Sequence, residues 1–108
     1  MKIFLDENIP PKLASVFTAT GHTVETIKSK KWFEKRNGEL MGLVAFNGFD
    51  VFVTRDRNLR YQQNLEKINV IIVVLVSKSD QSSILKPLAQ KVVEFIKTNL
   101  KQGVYEIS

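Results

Sequence analysis

The sequence contains no cysteine, and this one absence removes a disulfide framework, a thiolate nucleophile and a cysteine zinc site together. It has a single histidine, His22, which opens a predicted strand directly after Gly21. That placement suits a structural or surface residue better than a general base. Long hydrophobic runs are also missing. The most apolar stretch, Val70 to Val76, is seven residues long, far short of the ~20 that a membrane-spanning helix needs. Met1-Lys2-Ile3-Phe4-Leu5 runs straight into Asp6-Glu7, so no secretory signal is expected and the cytoplasm is the expected compartment. Neither a GxxxxGKS/T loop nor a GxGxxG turn occurs, which argues against a nucleotide cofactor. No serine sits in a nucleophile-elbow pattern. With no repeat, low-complexity tract or linker, residues 1–108 are expected to form a single domain.

What is present is ordinary in amount and uneven in charge. Hydrophobic residues make up 44% and charged residues 25%, enough apolar material for a core without staples. Sixteen Lys+Arg against eleven Asp+Glu give a net charge of +5. A basic balance favours a polyanionic partner, because basic side chains displace counterions from phosphates. Lysines that merely solvate the surface would give the same count.

Lys2 to Leu5 reads as a buried strand that empties into a polar loop. Asn8 is placed to cap the next helix, Pro10-Pro11 suit its first turn, and Leu13, Val16 and Phe17 recur at helical spacing up to Gly21. His22 to Ile27 alternates like a half-buried strand. Lys28 to Arg36 is a basic loop carrying Trp32, and Gly38 to Asn47 is a helix with an apolar stripe. Asp50 to Thr54 is a short buried strand, and Leu59 to Lys67 is a short helix or an ordered loop. Val70 to Val76, continuously aliphatic, has the signature of a central strand covered on both faces. Leu85 to Leu100 is a long amphipathic helix, and Val104 to Ile107 adds an edge strand. Strands alternating with helices predict a three-layer α/β/α sandwich around a mostly parallel central sheet.

In such sheets ligands bind beyond the carboxyl ends of the strands. Asp6 and Glu7 follow the first strand, Asp56 lies just beyond the Val51–Val53 strand with Thr54 and Asn58 beside it, and Glu39 opens a helix that leads to that strand. Asp50 precedes its strand and belongs at the opposite end. Clustered carboxylates repel one another unless a cation intervenes, and hard oxygen donors select Mg2+ or Mn2+. Asp6, Glu39 and Asp56 would supply charge, Thr54 and Asn58 would orient a ligand or a water, and Arg55 or Arg57 would hold a phosphate. Taken singly, each acid is as well explained as a turn former or a helix cap. Trp32, among Lys30, Lys31, Lys35 and Arg36, either stacks on an unpaired base or anchors its loop to the core. Gln62, Gln63 and Asn64 contact substrate or support a loop.

Three segments carry a resemblance. Lys2-Ile3-Phe4-Leu5-Asp6-Glu7-Asn8-Ile9-Pro10, Lys35-Arg36-Asn37-Gly38-Glu39-Leu40, and Phe49-Asp50-Val51-Phe52-Val53-Thr54-Arg55-Asp56-Arg57-Asn58-Leu59 with Tyr61-Gln62-Gln63-Asn64-Leu65 resemble, in order, the motifs of a bacterial PIN-like family. Its wider superfamily includes the VapC-type toxins, ribonucleases that depend on Mg2+ or Mn2+. The resemblance implies a metal-dependent endoribonuclease, the toxin half of a toxin–antitoxin module. Asp6, Glu39 and Asp56 take the three acidic positions, and Asn58 stands where many members have a further Asp. Asp6, Glu39, Asp56 and Asn58 would hold the metal. Glu7, Asn8, Thr54, Arg55, Arg57, Lys35 and Arg36 would contact substrate. RNA, an antitoxin protein and a second copy of the chain are the implied partners. The alternative is a non-catalytic PIN-like module that binds RNA or protein through the same surface.

Overall fold

The computed structural model describes residues 1–35, 37–58 and 68–108. Its elements follow in the order β1 (Lys2–Leu5), a 3-10 turn (Pro11–Leu13), α1 (Ala14–Thr18), β2 (Thr23–Thr26), α2 (Ile27–Lys30), α3 (Asn37–Phe46), β3 (Val51–Thr54), β4 (Ile71–Leu75), α4 (Ser82–Thr98) and β5 (Gly103–Ile107). The five strands form one sheet in the order β2-β1-β3-β4-β5, and each neighbouring pair is parallel. The expected α/β/α sandwich is therefore present, and its described sheet is wholly rather than mostly parallel.

Alternation along each strand divides the apolar side chains between two layers. Ile3 and Leu5 of β1, Val51 and Val53 of β3, and Ile71, Val73 and Leu75 of β4 face Leu13, Phe17 and α4. Phe4, Phe52 and Ile72 face the other way, against Ile27, Leu40, Met41 and Val44. Helix α4 reaches its layer through Leu85, Leu88, Ala89, Val92, Val93 and Ile96, all buried at helical spacing. Strand β4 is buried along its whole length, as its unbroken aliphatic sequence requires.

Two glycines end helices in the left-handed conformation. Gly21 (φ +90°) follows α1 and Gly48 (φ +76°) follows α3. After α3, Gly48 N donates to Ala45 O and Phe49 N donates to Val44 O, which satisfies carbonyls that the helix leaves open.

Three local expectations need correction. The segment around Leu13 to Phe17 is not one helix from its prolines onward: a 3-10 turn precedes the short α1. Asn8 does not cap it, since Pro10 occupies the N-cap position without any side-chain bond. The basic loop also contains a helical turn, α2, because Thr26 and Ser29 form a reciprocal capping box that closes it.

Candidate functional site

The site follows from strand register. Leu5 of β1 pairs with Val53 of β3, so the next residue on each strand, Asp6 and Thr54, emerge side by side at the carboxyl edge. Asp6 N donates to Val53 O at 2.9 Å, which carries the β1 chain one residue past the strand before it turns. With the order β2-β1-β3-β4-β5, chain connections leave β1 and β3 in opposite directions. That is the crevice where open α/β sheets bind ligands.

Both Asp6 oxygens are engaged. Glu7 N donates to Oδ1 at 2.8 Å, and the Thr54 hydroxyl donates to Oδ2 at 2.7 Å. Thr54 is fully buried, and its Oγ1 in turn accepts from Asp56 N at 3.1 Å and Asn8 Nδ2 at 3.4 Å. Asp6 is itself largely withdrawn from water, and this burial raises its carboxyl above the ordinary value of 3.8. The bonds from Thr54 and Glu7 N pull the other way, while the nearby Glu7 and Asp56 charges add to the rise. Burial therefore makes the bare Asp6 carboxylate less favourable than it is in water, and a nearby cation would offset that cost.

Asn8 ties the two loops together: its Oδ1 accepts from Arg55 N at 3.0 Å while its amide reaches Thr54. The Arg55 guanidinium turns toward the loop after β4, donating from Nη2 to Ser77 O at 3.0 Å, and its buried Nε has no partner among the described residues. Asp56 Oδ1 accepts from Asn58 N at 3.0 Å, a local turn bond, and Arg57 and Asn58 are exposed.

The structure thus gathers Asp6, Glu7, Asn8, Thr54, Arg55, Asp56 and Asn58 at one edge. It places Glu39 differently. Glu39, in the first turn of α3, forms an exposed 2.8 Å ion pair with Lys35, four residues earlier. Among the described residues no three His, Cys, Asp or Glu side chains form a group able to hold a metal ion. Arg36, Gln62, Gln63 and Asn64 lie outside the described residues. Asp50 sits at the opposite end, as its position before β3 requires, accepting from Lys2 N at 2.8 Å. His22 lies at the same far end, where its Nδ1 accepts from the Met1 ammonium at 3.0 Å. Of the two readings of Trp32, the structure supports the anchor: its ring stacks on Phe4 at 5.4 Å and meets Phe49 edge-on at 6.5 Å.

Among the described residues, two cavities flank this edge. One, of about 300 Å³, is lined by Glu7, Asn8, Arg55 and Asp80 among others. The other, of about 180 Å³, adjoins Asp6 and is walled by Ile9, Pro11, Ile27 and Phe33, with Lys28 beside them. Sequence reasoning missed Phe33, Ile9 and Ile27 as site residues. The one available signal is that Trp32-Phe33 is an aromatic pair in a basic segment, of which the core needs only one.

The donors suit a hard divalent cation in type: two carboxylates with a hydroxyl and an amide, all oxygen-bearing. They suit it in number as well, because Mg2+ keeps several waters and uses one or two carboxylates plus substrate phosphates. Asp6 and Asp56, close enough for one charge to act on the other, would be that pair.

A parallel doubly wound sheet with acidic side chains in the crevice at its switch point defines the chain as an α/β protein of the three-layer class. Within it, residues 1–76 match the family model described as PIN like domain, and the chain belongs to that family. No curated protein and no solved structure matches it.

Proposed function

We propose that this protein is a metal-dependent endoribonuclease, acting as the toxin half of a toxin–antitoxin pair. The observation that carries the reading is the Asp6–Thr54–Asp56 constellation: a withdrawn carboxylate, held by the Thr54 hydroxyl beside a second carboxylate at the sheet's switch point, whose burial a cation would offset. Family membership supports a nuclease-type site.

Asp6 and Asp56 would hold Mg2+ or Mn2+, with Asn58 as a further contributor and Glu39 joining only on release from its ion pair with Lys35. When bound, such an ion stabilises charge on a phosphodiester and lowers the pKa of an attacking water. The chain's own residues supply the frame. Thr54 fixes the Asp6 carboxylate through its hydroxyl, and Asn8 locks the β1 and β3 loops so that both acids keep one spacing. Lys28, Lys30, Lys31 and Lys35 with Arg57 supply cations for the phosphate backbone, in keeping with the net charge of +5. The same acidic crevice would accept a basic side chain from a neutralising protein, and self-association belongs to the same reading.

A second reading, a PIN-like module that binds without cutting, is favoured by one observation. Glu39 is paired with Lys35 rather than grouped with Asp6 and Asp56. The discriminating experiment is cleavage of structured and single-stranded RNAs by purified protein with Mn2+, Mg2+ or EDTA. The expected outcome is metal-dependent cutting that falls at least ~100-fold in Asp6→Ala and Asp56→Ala, of the order that loss of a main electrostatic group costs. Absence of cutting on every RNA, with folded protein and bound metal, rejects the general ribonuclease in favour of the binding module.

A further inference from the structure

We propose that the cavity beside Asp6 is a nucleobase subsite, which seats one base of a single-stranded RNA next to the phosphate at the acidic pair. The proposal rests on the ribonuclease reading and adds to it the group that positions the strand. Asp6 forms part of the cavity wall, so whatever fills the cavity lies against the acid site. Its volume, about 180 Å³, falls below the ~300–1,000 Å³ of sites that enclose drug-sized ligands. It takes a single flat ring system rather than a whole nucleotide.

The walls match that occupant. Ile9 and Ile27 are 3% and 6% exposed and belong to the two core layers on opposite faces of the sheet, so they form a fixed floor. Phe33 stands at the mouth, 56% exposed, while its neighbour Trp32 is stacked into the core. An aromatic ring at the mouth of an apolar slot, with cations around it, is how proteins hold unpaired bases without needing a particular sequence. Lys28 lines the same cavity, half-buried Lys30 follows it with its ammonium over the Trp32 ring, and Lys31 is exposed beside them. These charges suit the phosphates on either side of a seated base. An apolar protein side chain would use the walls but not the lysines.

The test is binding of a labelled single-stranded RNA oligonucleotide, followed by fluorescence anisotropy in EDTA at one low salt concentration. Phe33→Ala should weaken binding about 10-fold, within the range of one base–aromatic stack. Phe33→Trp should restore it. Leu100→Ala, at a still more exposed apolar residue that lines a cavity with Met1 and Asp50 at the opposite end of the sheet, should leave it unchanged. Unchanged binding in Phe33→Ala overturns the subsite and returns the cavity to a protein contact. Because the binding arm requires no cleavage, a wild-type protein that fails to cut any RNA rejects the nuclease reading alone, and the anisotropy still decides the subsite.

Discussion

Asp6 is the residue on which structure and chemistry meet. Its carboxyl is raised above 3.8, first by burial and then by the Glu7 and Asp56 charges. The folded chain therefore holds the Asp6 proton more tightly than the unfolded chain does. Ionisation of Asp6 then opposes folding. This cost is absent below about pH 3.8, grows as pH rises through the folded-state value, and is complete beyond it. Asp6→Asn carries no such proton, so in metal-free buffer its stability relative to the parent should increase as pH is raised from that point toward neutrality. Thermal unfolding of the two proteins across pH measures the difference, and parallel curves would sink the idea. The acids at the strand ends were legible in the sequence because a short apolar run followed at once by Asp has few places to put it. The roles of Asn8 and Arg55 were not legible. A side chain that reaches across to another loop, as Asn8 does to Arg55 N, leaves no mark in local spacing.

At the scale of elements, periodicity carried most of the information. The unbroken Val70–Val76 run became a fully buried strand, and the 3-4 spacing of Leu85 to Ile96 became the buried face of α4. Short segments misled where two or three side-chain bonds decide the outcome. Helix α2 exists because Thr26 and Ser29 cap each other, and α1 is cut short by a 3-10 turn at its prolines. Gly48 illustrates a purely conformational requirement. A Cβ added there meets no atom within 4 Å, yet φ is +76°. Gly48→Ala should therefore cost about 1–2 kcal/mol through backbone strain alone. Denaturant melts should show a lowered midpoint with an unchanged slope. No loss of stability would mean that the α3 terminus relaxes into another geometry. RNA cutting should be unaffected, since Gly48 lies beyond the end of α3 that carries Glu39.

For the whole molecule, the family match ends at residue 76, yet the fold continues past it. Helix α4 supplies much of the core on one face of the sheet, beside Leu13 and Phe17, and β5 pairs with β4 along its length. Leu85, Leu88, Val92, Val93 and Ile96 bury large side chains worth ~1.5–3 kcal/mol each. Together these rival the ~5–15 kcal/mol by which a domain is stable at all. A chain truncated after Val76 should lack cooperative thermal unfolding and expose apolar surface that binds a hydrophobic dye. A folded, cooperative truncation would show that the first 76 residues are self-sufficient. Charge at this scale was legible from composition, whereas the division between a structural Trp32 and an exposed Phe33 was not. Both are aromatic residues in a basic segment, and only tertiary packing on Phe4 separates them.

The most direct measurement is Mn2+ binding followed by electron paramagnetic resonance, where the free ion's signal disappears as it binds. The wild-type chain should take up Mn2+ at a single site, with Asp6→Asn and Asp56→Asn each weakening it at least ~10-fold, as loss of one of two carboxylate ligands implies. Mn2+ uptake that is missing from the wild type, or that survives both substitutions, would contradict a metal centre at the switch point of this sheet.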